Sequence, residues 1–171
     1  GRVSGRLQAI GRTPVRADDA LIDPGGAQII VFGMGRIGVG AYDELRERRG
    51  DVILGVDRHN HNVEAQRPLG RKVVRGDALD TEFWERLCLT ADTDLVVLAM
   101  SDHAANMEAV RRVREYLPDA TLAAVATHID ELHELEAVGV DVARNLYDEA
   151  GQGLAGDACE YLAEEKGNQG S

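Results

Sequence analysis

Three glycines in the first third of the chain, spaced G-x-G-x-x-G, are the residues whose type and spacing best suit ligand binding. They are Gly33, Gly35 and Gly38, and they directly follow an apolar run, residues 29–32, that is rich in β-branched side chains. That run is too short for a helix and predicts a buried strand. A glycine turn between a strand and a helix lets a phosphate approach the main chain, and the helix N-terminus attracts its charge. These residues therefore predict a phosphate-binding turn.

One acid completes the pattern. Asp57 lies 19 residues after Gly38, at the end of a second apolar run, residues 52–56. This is close to the separation of about 20 at which a carboxylate accepts hydrogen bonds from a ribose hydroxyl. A carboxylate there repels a 2′-phosphate, which favours NAD or AMP over NADP, although Arg58 beside it weakens the preference. Strand, glycine turn, helix, strand and acid together predict a dinucleotide-binding βαβ unit.

The same glycine spacing recurs near the C-terminus, as GQGLAG at residues 151–156. Here no strand precedes the glycines and no strand ending in an acid follows them. Because the spacing alone is weak evidence, we expect only the first copy to bind a nucleotide.

Composition narrows the class of protein. The chain has 171 residues, of which 44% are hydrophobic, enough for one domain with a core. Its formal net charge of −11 opposes binding to a nucleic acid backbone. The two cysteines, Cys88 and Cys159, lack metal-type spacing and suggest a reducing cytosol. No apolar run approaches the roughly 20 residues that cross a membrane.

Three segments are predicted. Residues 1–26 hold four arginines before the first acid, Asp18, and are expected to form a linker that is flexible or partly helical. Residues 27–166 form the folded domain, and residues 167–171 a disordered tail.

Within the domain, apolar runs alternate with helix-like segments. Strands are predicted at residues 29–32, 52–56, 72–75, 94–100, 121–126 and 140–143, and helices at 39–49, 60–70, 82–89, 102–117, 129–138 and 146–166. This alternation predicts an α/β fold, a Rossmann-like doubly wound parallel six-stranded sheet in the order 3-2-1-4-5-6 with helices on both faces. The fourth strand, the most hydrophobic, should be central.

In such a sheet the ligand lies outside the carboxyl ends of strands one and four. Asp77 there either accepts a hydrogen bond from an adenine amine or stabilises a turn. Asn106 either faces the distal part of a dinucleotide or is solvated, and the second is favoured. The predicted nucleotide-binding residues, which share this edge, are Gly33, Met34, Gly35, Arg36, Ile37, Gly38, Asp57, Arg58, Gly76, Asp77, Ala78, Met100 and Ser101.

The sequence argues against catalysis. No tyrosine is followed four residues later by lysine, and neither a P-loop nor a G-x-S-x-G elbow occurs. His128 and His133 are five apart and miss the spacing of a metal-binding helix pair. No segment after the sixth strand is large enough for a substrate domain. One alternative is an NAD-dependent oxidoreductase fragment or subunit in which His103 or Ser101 donates a proton. Another is a purely structural dimerisation domain with a vestigial cleft.

Four stretches together resemble a known family. They are IIVFGMGRIG, GVDRHNHNVE, VVRGDALD and LVVLAMSDHAANMEAVRRVREYLPDA. They are similar to the regulatory domain of potassium transport systems called RCK, KTN or TrkA-N, and most similar to the cytosolic C-terminal part of Kef-type potassium efflux antiporters. The resemblance covers residues 27–155, and its most telling piece is Gly76-Asp77-Ala78.

The resemblance implies a Rossmann domain that binds NAD(H) or AMP without chemistry, forms a homodimer and gates a potassium or other monovalent-cation transporter. The glycine turn would hold the phosphate, Asp57 the ribose, and Asp77 with Ala78 the adenine. It also implies a membrane partner, on the same polypeptide or separate, and places the soluble domain at the cytoplasmic face of the membrane. Glutathione-responsive relatives carry arginines in the fifth strand where this chain has Val125 and Thr127, so a glutathione response is not expected.

Overall fold

The structure, a computed structural model, describes residues 22–24, 26–88 and 92–168. Most of the predicted linker and of the predicted tail lies outside these residues. The last helix continues to Asn168, so the first two residues of the predicted tail are helical.

The predicted sheet is confirmed. All six strands are parallel and lie in the order β3-β2-β1-β4-β5-β6. The strands are β1 (Ile29–Phe32), β2 (Ile53–Asp57), β3 (Val73–Arg75), β4 (Leu95–Leu98), β5 (Thr121–Ala126) and β6 (Val142–Asn145). The helices are α1 (Arg36–Arg49), α2 (Asn60–Gln66) with a 3-10 turn at Arg67–Leu69, α3 (Thr81–Cys88), α4 (His103–Tyr116), α5 (Ile129–Ala137) and α6 (Leu146–Asn168).

Successive side chains of a strand point to opposite faces of the sheet. The side chains of the central strands therefore divide the core into two apolar layers. Ile29 and Val31 pack with Tyr42 of α1 and Val63 of α2. On the other face, alternate side chains of β1, β2, β4 and β5 pack with α3, α4 and α5. Every residue of β1 and β2 is buried. The helices thus cover both faces and leave the carboxyl edge of the sheet open.

The chain's one tryptophan anchors the second layer. Trp84 of α3 is fully buried, lies 5.1 Å from the Phe32 ring and stacks on Tyr116 at 5.9 Å. Its indole Nε1–H donates to the carbonyl oxygen of Ala78 at 2.7 Å. That bond fixes the loop that follows β3.

Two elements begin two or more residues away from the predicted position. Helix α1 begins at Arg36 rather than at residue 39, because the Gly35 carbonyl already accepts the Val39 amide at 2.9 Å. Strand β6 begins at Val142 rather than at residue 140. Residues 140 and 141 complete the preceding turn instead, since the Val140 amide donates to Leu135 and the Asp141 carboxylate accepts from Leu122.

Helix α6 differs from the others because it leaves the body of the domain. Its 23 residues make it the longest helix in the described part of the chain, and side chains from Tyr147 to Lys166 are exposed. Neither α6 nor any other helix within the described ranges is long and apolar enough to cross a membrane.

Candidate functional site

A cavity of about 360 Å³ opens at the carboxyl edge of the sheet, where β1 and β4 lie side by side. Successive connections leave these two strands in opposite directions, which is where a doubly wound sheet forms its ligand crevice. Eleven of the thirteen predicted residues line this cavity: Gly33, Gly35, Arg36, Ile37, Asp57, Arg58, Gly76, Asp77, Ala78, Met100 and Ser101. The two others, Met34 and Gly38, belong to the glycine turn but are buried outside the cavity lining.

The glycine turn is tightly packed from behind. Gly33 has φ +88°, and a Cβ there would lie 2.9 Å from the backbone of Ala99 and Met100. A Cβ at Gly38 would overlap the carbonyl oxygen of Gly33. Both glycines are required by backbone that has no room to move, so they set the close approach of α1 to the end of β1.

The N-terminus of α1 faces the cavity without a capping side chain. Gly35 precedes the helix in an extended conformation and supplies no side-chain acceptor. The first amides of a helix have no intrahelical partner and attract an anion. A Cβ at Gly35 would meet nothing within 4 Å, so this side of the turn is open to a ligand. Arg36 and Ile37, both exposed, flank it.

Asp57 is buried and held by three donors. Its Oδ2 accepts from the Met34 amide at 2.8 Å and from Asn62 Nδ2 at 2.9 Å, and its Oδ1 accepts from the His59 amide at 2.8 Å. The side chain is only 6% exposed. A carboxylate offers about four lone-pair positions, so roughly one remains for a ligand donor. The carboxylate therefore ties the glycine turn to the end of β2.

Two residues of this network have roles that the sequence did not suggest. Met34 contributes its backbone amide, while its side chain is buried, with its sulfur where a Cβ of Gly55 would otherwise project. Asn62, in the first turn of α2, lines the cavity and was not predicted. Its position five residues after Asp57, on a helix that begins beside the end of β2, is the signal that could have identified it.

The loop after β3 forms one wall of the cavity. Gly76, Asp77, Ala78 and Leu79 line it. Asp77 Oδ1 accepts the Leu79 amide at 2.9 Å, which is the turn-stabilising role considered above. Its contact with an adenine amine stays a prediction.

Beyond β4 the cavity continues along a second wall. Besides Met100 and Ser101, this wall contains five residues that were not predicted: Asp102, Ala105, Val125, Thr127 and Leu146. They lie at the start of α4, at the end of β5 and at the start of α6. We call this wall the distal half of the cavity, and the part between α1, Asp57 and the loop after β3 the proximal half.

One acidic residue, Asp102, lines the distal half, and a second, Glu131, lies outside the lining. Asp102 caps α4, where its Oδ1 accepts the Ala105 amide at 3.2 Å. Behind Thr127, the amides of Thr127 and His128 donate to the Glu131 carboxylate at 2.8 and 3.1 Å, and they lower the pKa of Glu131 from its ordinary 4.5.

Two predictions about α4 need comment. Asn106 is buried rather than solvated, because its Nδ2 donates to the Met100 carbonyl at 2.9 Å and so fixes the end of β4. His103, considered as a proton donor, contacts Glu134 of α5 instead, with 2.8 Å between Nε2 and Oε2. Among the described residues, no group of three or more His, Cys, Asp and Glu side chains is arranged to hold a metal ion.

An open helix N-terminus, a glycine turn and a strand-end carboxylate around one crevice define a Rossmann-type domain of the nucleotide-binding class. The profile of the TrkA-N domain matches residues 29–146, and the chain belongs to that family.

Solved structures share the fold. The NAD(P)-binding domain of an exopolyphosphatase-related protein from Archaeoglobus fulgidus is 22% identical, with a TM-score of 0.69 over 78% of this chain and 98% of that one. The TrkA-N domain of the inner membrane protein YbaL from Escherichia coli is 19% identical, with a TM-score of 0.65 over 75% and 93%. The AMP-bound Kef C-terminal domain from Shewanella denitrificans is 20% identical, with a TM-score of 0.64 over 78% and 80%. No curated protein sequence matches significantly.

Proposed function

We propose that this chain is a regulatory domain that binds an adenine nucleotide, NAD(H) or AMP, and gates a transporter of potassium or another monovalent cation without catalysis of its own. The observation that carries the proposal is one cavity, in a TrkA-N domain, that unites the glycine turn with Asp57 and the loop after β3. The partner is a membrane transporter domain, and the site of action is the cytoplasmic face of the membrane.

The proximal half suits adenosine 5′-phosphate. The open start of α1 would take the phosphate, the remaining lone pair of Asp57 a ribose hydroxyl, and the wall of Ala78 and Leu79 the adenine ring. The Kef domain among the structural neighbours holds AMP, which supports this assignment of the ligand class.

Nucleotide binding is tested by thermal shift and calorimetry with AMP, ADP, ATP, NAD and NADH. A ligand at 100 times its Kd stabilises a domain by about 2.7 kcal/mol, which raises Tm by roughly 5 °C or more at this size. We expect such a shift with AMP or NAD(H) and its loss in Gly35→Asp, which places a carboxylate at the open start of α1. Absence of a shift with every nucleotide would contradict the proposal.

We further propose that the domain acts as a homodimer through α6. Tyr147, Leu154 and Tyr161 recur every seven residues and are 69%, 74% and 64% exposed, so they form an apolar stripe on one face of α6. Gly151, Gly153 and Gly156 lie within the same helix and lower its intrinsic stability by about 1 kcal/mol each. A glycine-rich helix with an exposed apolar stripe gains most stability when a second copy of the helix covers that stripe.

Sedimentation equilibrium tests this arrangement. Leu154→Glu places a charge on the stripe and should shift the protein from dimer to monomer. Gln152→Glu adds the same charge to the same helix, two residues away and off the stripe, and should leave the dimer intact. A wild-type monomer at all concentrations, or equal behaviour of the two variants, would contradict the α6 dimer.

Gating requires that the nucleotide bind one state of the dimer more tightly than another, because equal affinities shift no equilibrium. Transport by the assembled system, measured as potassium flux in vesicles with and without nucleotide, is the direct test. Flux that responds to nucleotide in the wild type and not in Gly35→Asp would support gating by this site. Equal flux under all conditions would leave a nucleotide-binding domain that does not gate.

A further inference from the structure

The free edge of the sheet at β3 is basic, although the chain as a whole is acidic. Residues 58–75 contain five Lys and Arg residues and one acid, whereas residues 102–168 contain fifteen acids and five Lys and Arg residues. Three exposed basic side chains and one exposed apolar side chain lie on or beside β3: Arg67, Lys72, Arg75 and Leu69. We call these four residues the basic edge, and none of them lines the cavity described above.

The three cations of the basic edge bond to carbonyl oxygens and not to carboxylates. Arg67 Nε donates to the Val73 carbonyl at 3.0 Å, and Lys72 Nζ donates to the Pro24 carbonyl at 2.7 Å. Arg75 Nε also donates to a carbonyl, at 3.5 Å. None of the ion pairs among the described residues includes any of these three side chains. Their charge is therefore available to an external anion.

The turn that presents Leu69 is fixed from its inner side. Arg71 forms two hydrogen bonds with the carboxylate of Asp43 in α1, at 2.6 and 2.8 Å, and Arg46 Nη1 donates to the Gly70 carbonyl at 3.2 Å. The Leu69 side chain nevertheless stays 64% exposed. Because the turn is already ordered, a partner that covers Leu69 costs the chain little conformational freedom.

The acidic parts of the domain do not cancel this charge. Strands β4 to β6 lie three to five strand spacings from β3, about 14 to 24 Å, whereas charges are screened over about 8 Å at physiological ionic strength. The nearer acids, Glu82 and Glu85 of α3, belong to a helix that packs on the opposite face of the sheet from α2. An anionic surface can therefore attract the basic edge.

A row of cations around an exposed leucine fits the interface of an anionic membrane. Lipid phosphates and carboxylates bind the charged ends of Arg and Lys, while the aliphatic stems of these side chains lie along apolar groups. An acidic protein surface would satisfy the cations but would leave Leu69 against polar groups. We propose that the basic edge docks the domain on an anionic phospholipid membrane, with Leu69 inserted between the headgroups. This docking surface goes beyond the function proposed above, and it needs no nucleotide.

Co-sedimentation with lipid vesicles tests the docking surface. The vesicles contain either phosphatidylcholine alone or equal parts of phosphatidylcholine and phosphatidylserine. We expect the wild type to bind the phosphatidylserine vesicles about tenfold more tightly or better, and to lose this preference in high salt. Arg75→Gln should lower the affinity about fivefold, the contribution of one basic residue at an anionic surface. Leu69→Ser should also lower the affinity, because it removes the inserted side chain.

The opposite edge of the sheet supplies matched controls. Arg144 is the third residue of β6 as Arg75 is the third residue of β3, and it is also exposed. Arg144→Gln therefore removes the same charge from the same kind of position. Val138, an apolar side chain 45% exposed at the end of α5, gives Val138→Ser as the control for Leu69→Ser. Both controls should bind vesicles like the wild type.

A fluorescence measurement locates the inserted residue directly. In Leu69→Trp, the added indole should emit at shorter wavelength when phosphatidylserine vesicles are added, because it leaves water for the membrane interface. In Val138→Trp the added indole should not respond. The emission of the wild type, which comes from Trp84 alone, is subtracted in both cases.

Three outcomes would overturn the docking surface. The first is a wild type that binds neither kind of vesicle, or both equally. The second is binding to phosphatidylserine vesicles that is unchanged in both Arg75→Gln and Leu69→Ser, because another part of the chain would then carry it. The third is a loss of self-association in these variants without vesicle binding, which would assign the basic edge to a second copy of the chain. No arm contains a nucleotide, so each of these outcomes leaves the proposed nucleotide site standing.

Discussion

In the half of the sheet built on β1–β3, the residue before the first helix is Gly35, which has no side chain to cap it. In the half built on β4–β6, the residue before the corresponding helix is Asp102, whose carboxylate caps it. The ends of the neighbouring strands, β2 and β5, also differ between the two halves. Strand β2 ends in a buried carboxylate that holds three donors, and β5 is followed by Thr127, whose backbone amide donates to Glu131.

At the opposite edge of the sheet the two halves are alike. Arg71 makes a bidentate ion pair with Asp43 in the first half, at 2.6 and 2.8 Å. In the second half Arg114 binds Asp141 at 2.8 Å and two carbonyls, those of Ala120 and Gly139. The scaffold is thus supported in the same way on both sides. The halves differ at the edge that holds the cavity, which is where we propose that the nucleotide binds.

The largest loss of stability is expected for a substitution of Gly38, where the first half packs most tightly. Gly38→Ala forces a methyl into the Gly33 carbonyl and should destabilise the domain by about 3 kcal/mol or more. Gly35→Ala should stay within about 1 kcal/mol of the wild type, because its Cβ enters open space, yet it should lose nucleotide affinity. Urea unfolding measures the stability of each variant, and calorimetry measures its nucleotide affinity. Equal stability of the two variants would contradict the packing described for α1.

The second prediction contrasts the two strand ends. Asp57→Ala leaves the Met34 amide, the His59 amide and Asn62 without their acceptor and should cost about 2 kcal/mol and abolish AMP binding. Thr127→Ala, at the end of β5, should cost less than about 0.5 kcal/mol. Comparable losses of stability and affinity in the two variants would remove the distinction drawn between the halves.

A smaller effect is expected at Asn62, which positions Asp57. Asn62→Ala removes one hydrogen bond to the carboxylate and should cost about 1 kcal/mol. If Asn62 helps to aim Asp57 at a ribose, the affinity ratio of AMP to 2′-deoxy-AMP should also fall. His61→Ala, an exposed neighbour in the same turn of α2, is the control. A loss of stability with an unchanged ratio would make Asn62 purely structural.

The smallest expected effect is on the pH dependence of stability, and it concerns Asp141 in the second half of the sheet. The Leu122 amide and Arg114 lower the pKa of Asp141 from its ordinary 3.8. Its contribution is therefore complete above about pH 4 and is lost as the pH falls through the lowered value. Both side chains are partly exposed, so the contribution should be under about 1 kcal/mol. In Asp141→Asn, unfolding midpoints should change less between pH 6 and pH 3 than in the wild type. An identical pH dependence would contradict this.

The sequence was sufficient for the fold and for most of the proximal half, with Asn62 and Leu79 as exceptions, because the evidence there is local. Apolar runs and glycine turns specify each strand and its connection, and Asp57 stands at a fixed distance from Gly38. The order of the strands followed from their alternation with helices.

The distal half was largely missed because its residues come together only through the sheet. Val125 and Leu146 are separated by 20 residues and by a helix, and neither belongs to a recognisable motif. Asn106 was misjudged for the same reason: a polar residue in the first turns of a helix is usually solvated, and only the position of the Met100 carbonyl makes burial favourable.

The hydrogen bond from Trp84 to Ala78 makes the chain's one indole an intrinsic fluorescent reporter of the cavity. Ala78 lines the proximal half, and its carbonyl oxygen is the acceptor for the buried Nε1–H. Any occupant that moves the loop after β3 will change the polarity of that acceptor and therefore the wavelength or yield of emission. Because the chain has no other tryptophan, a ligand that moves this loop can be followed by the emission of Trp84 in the unmodified protein.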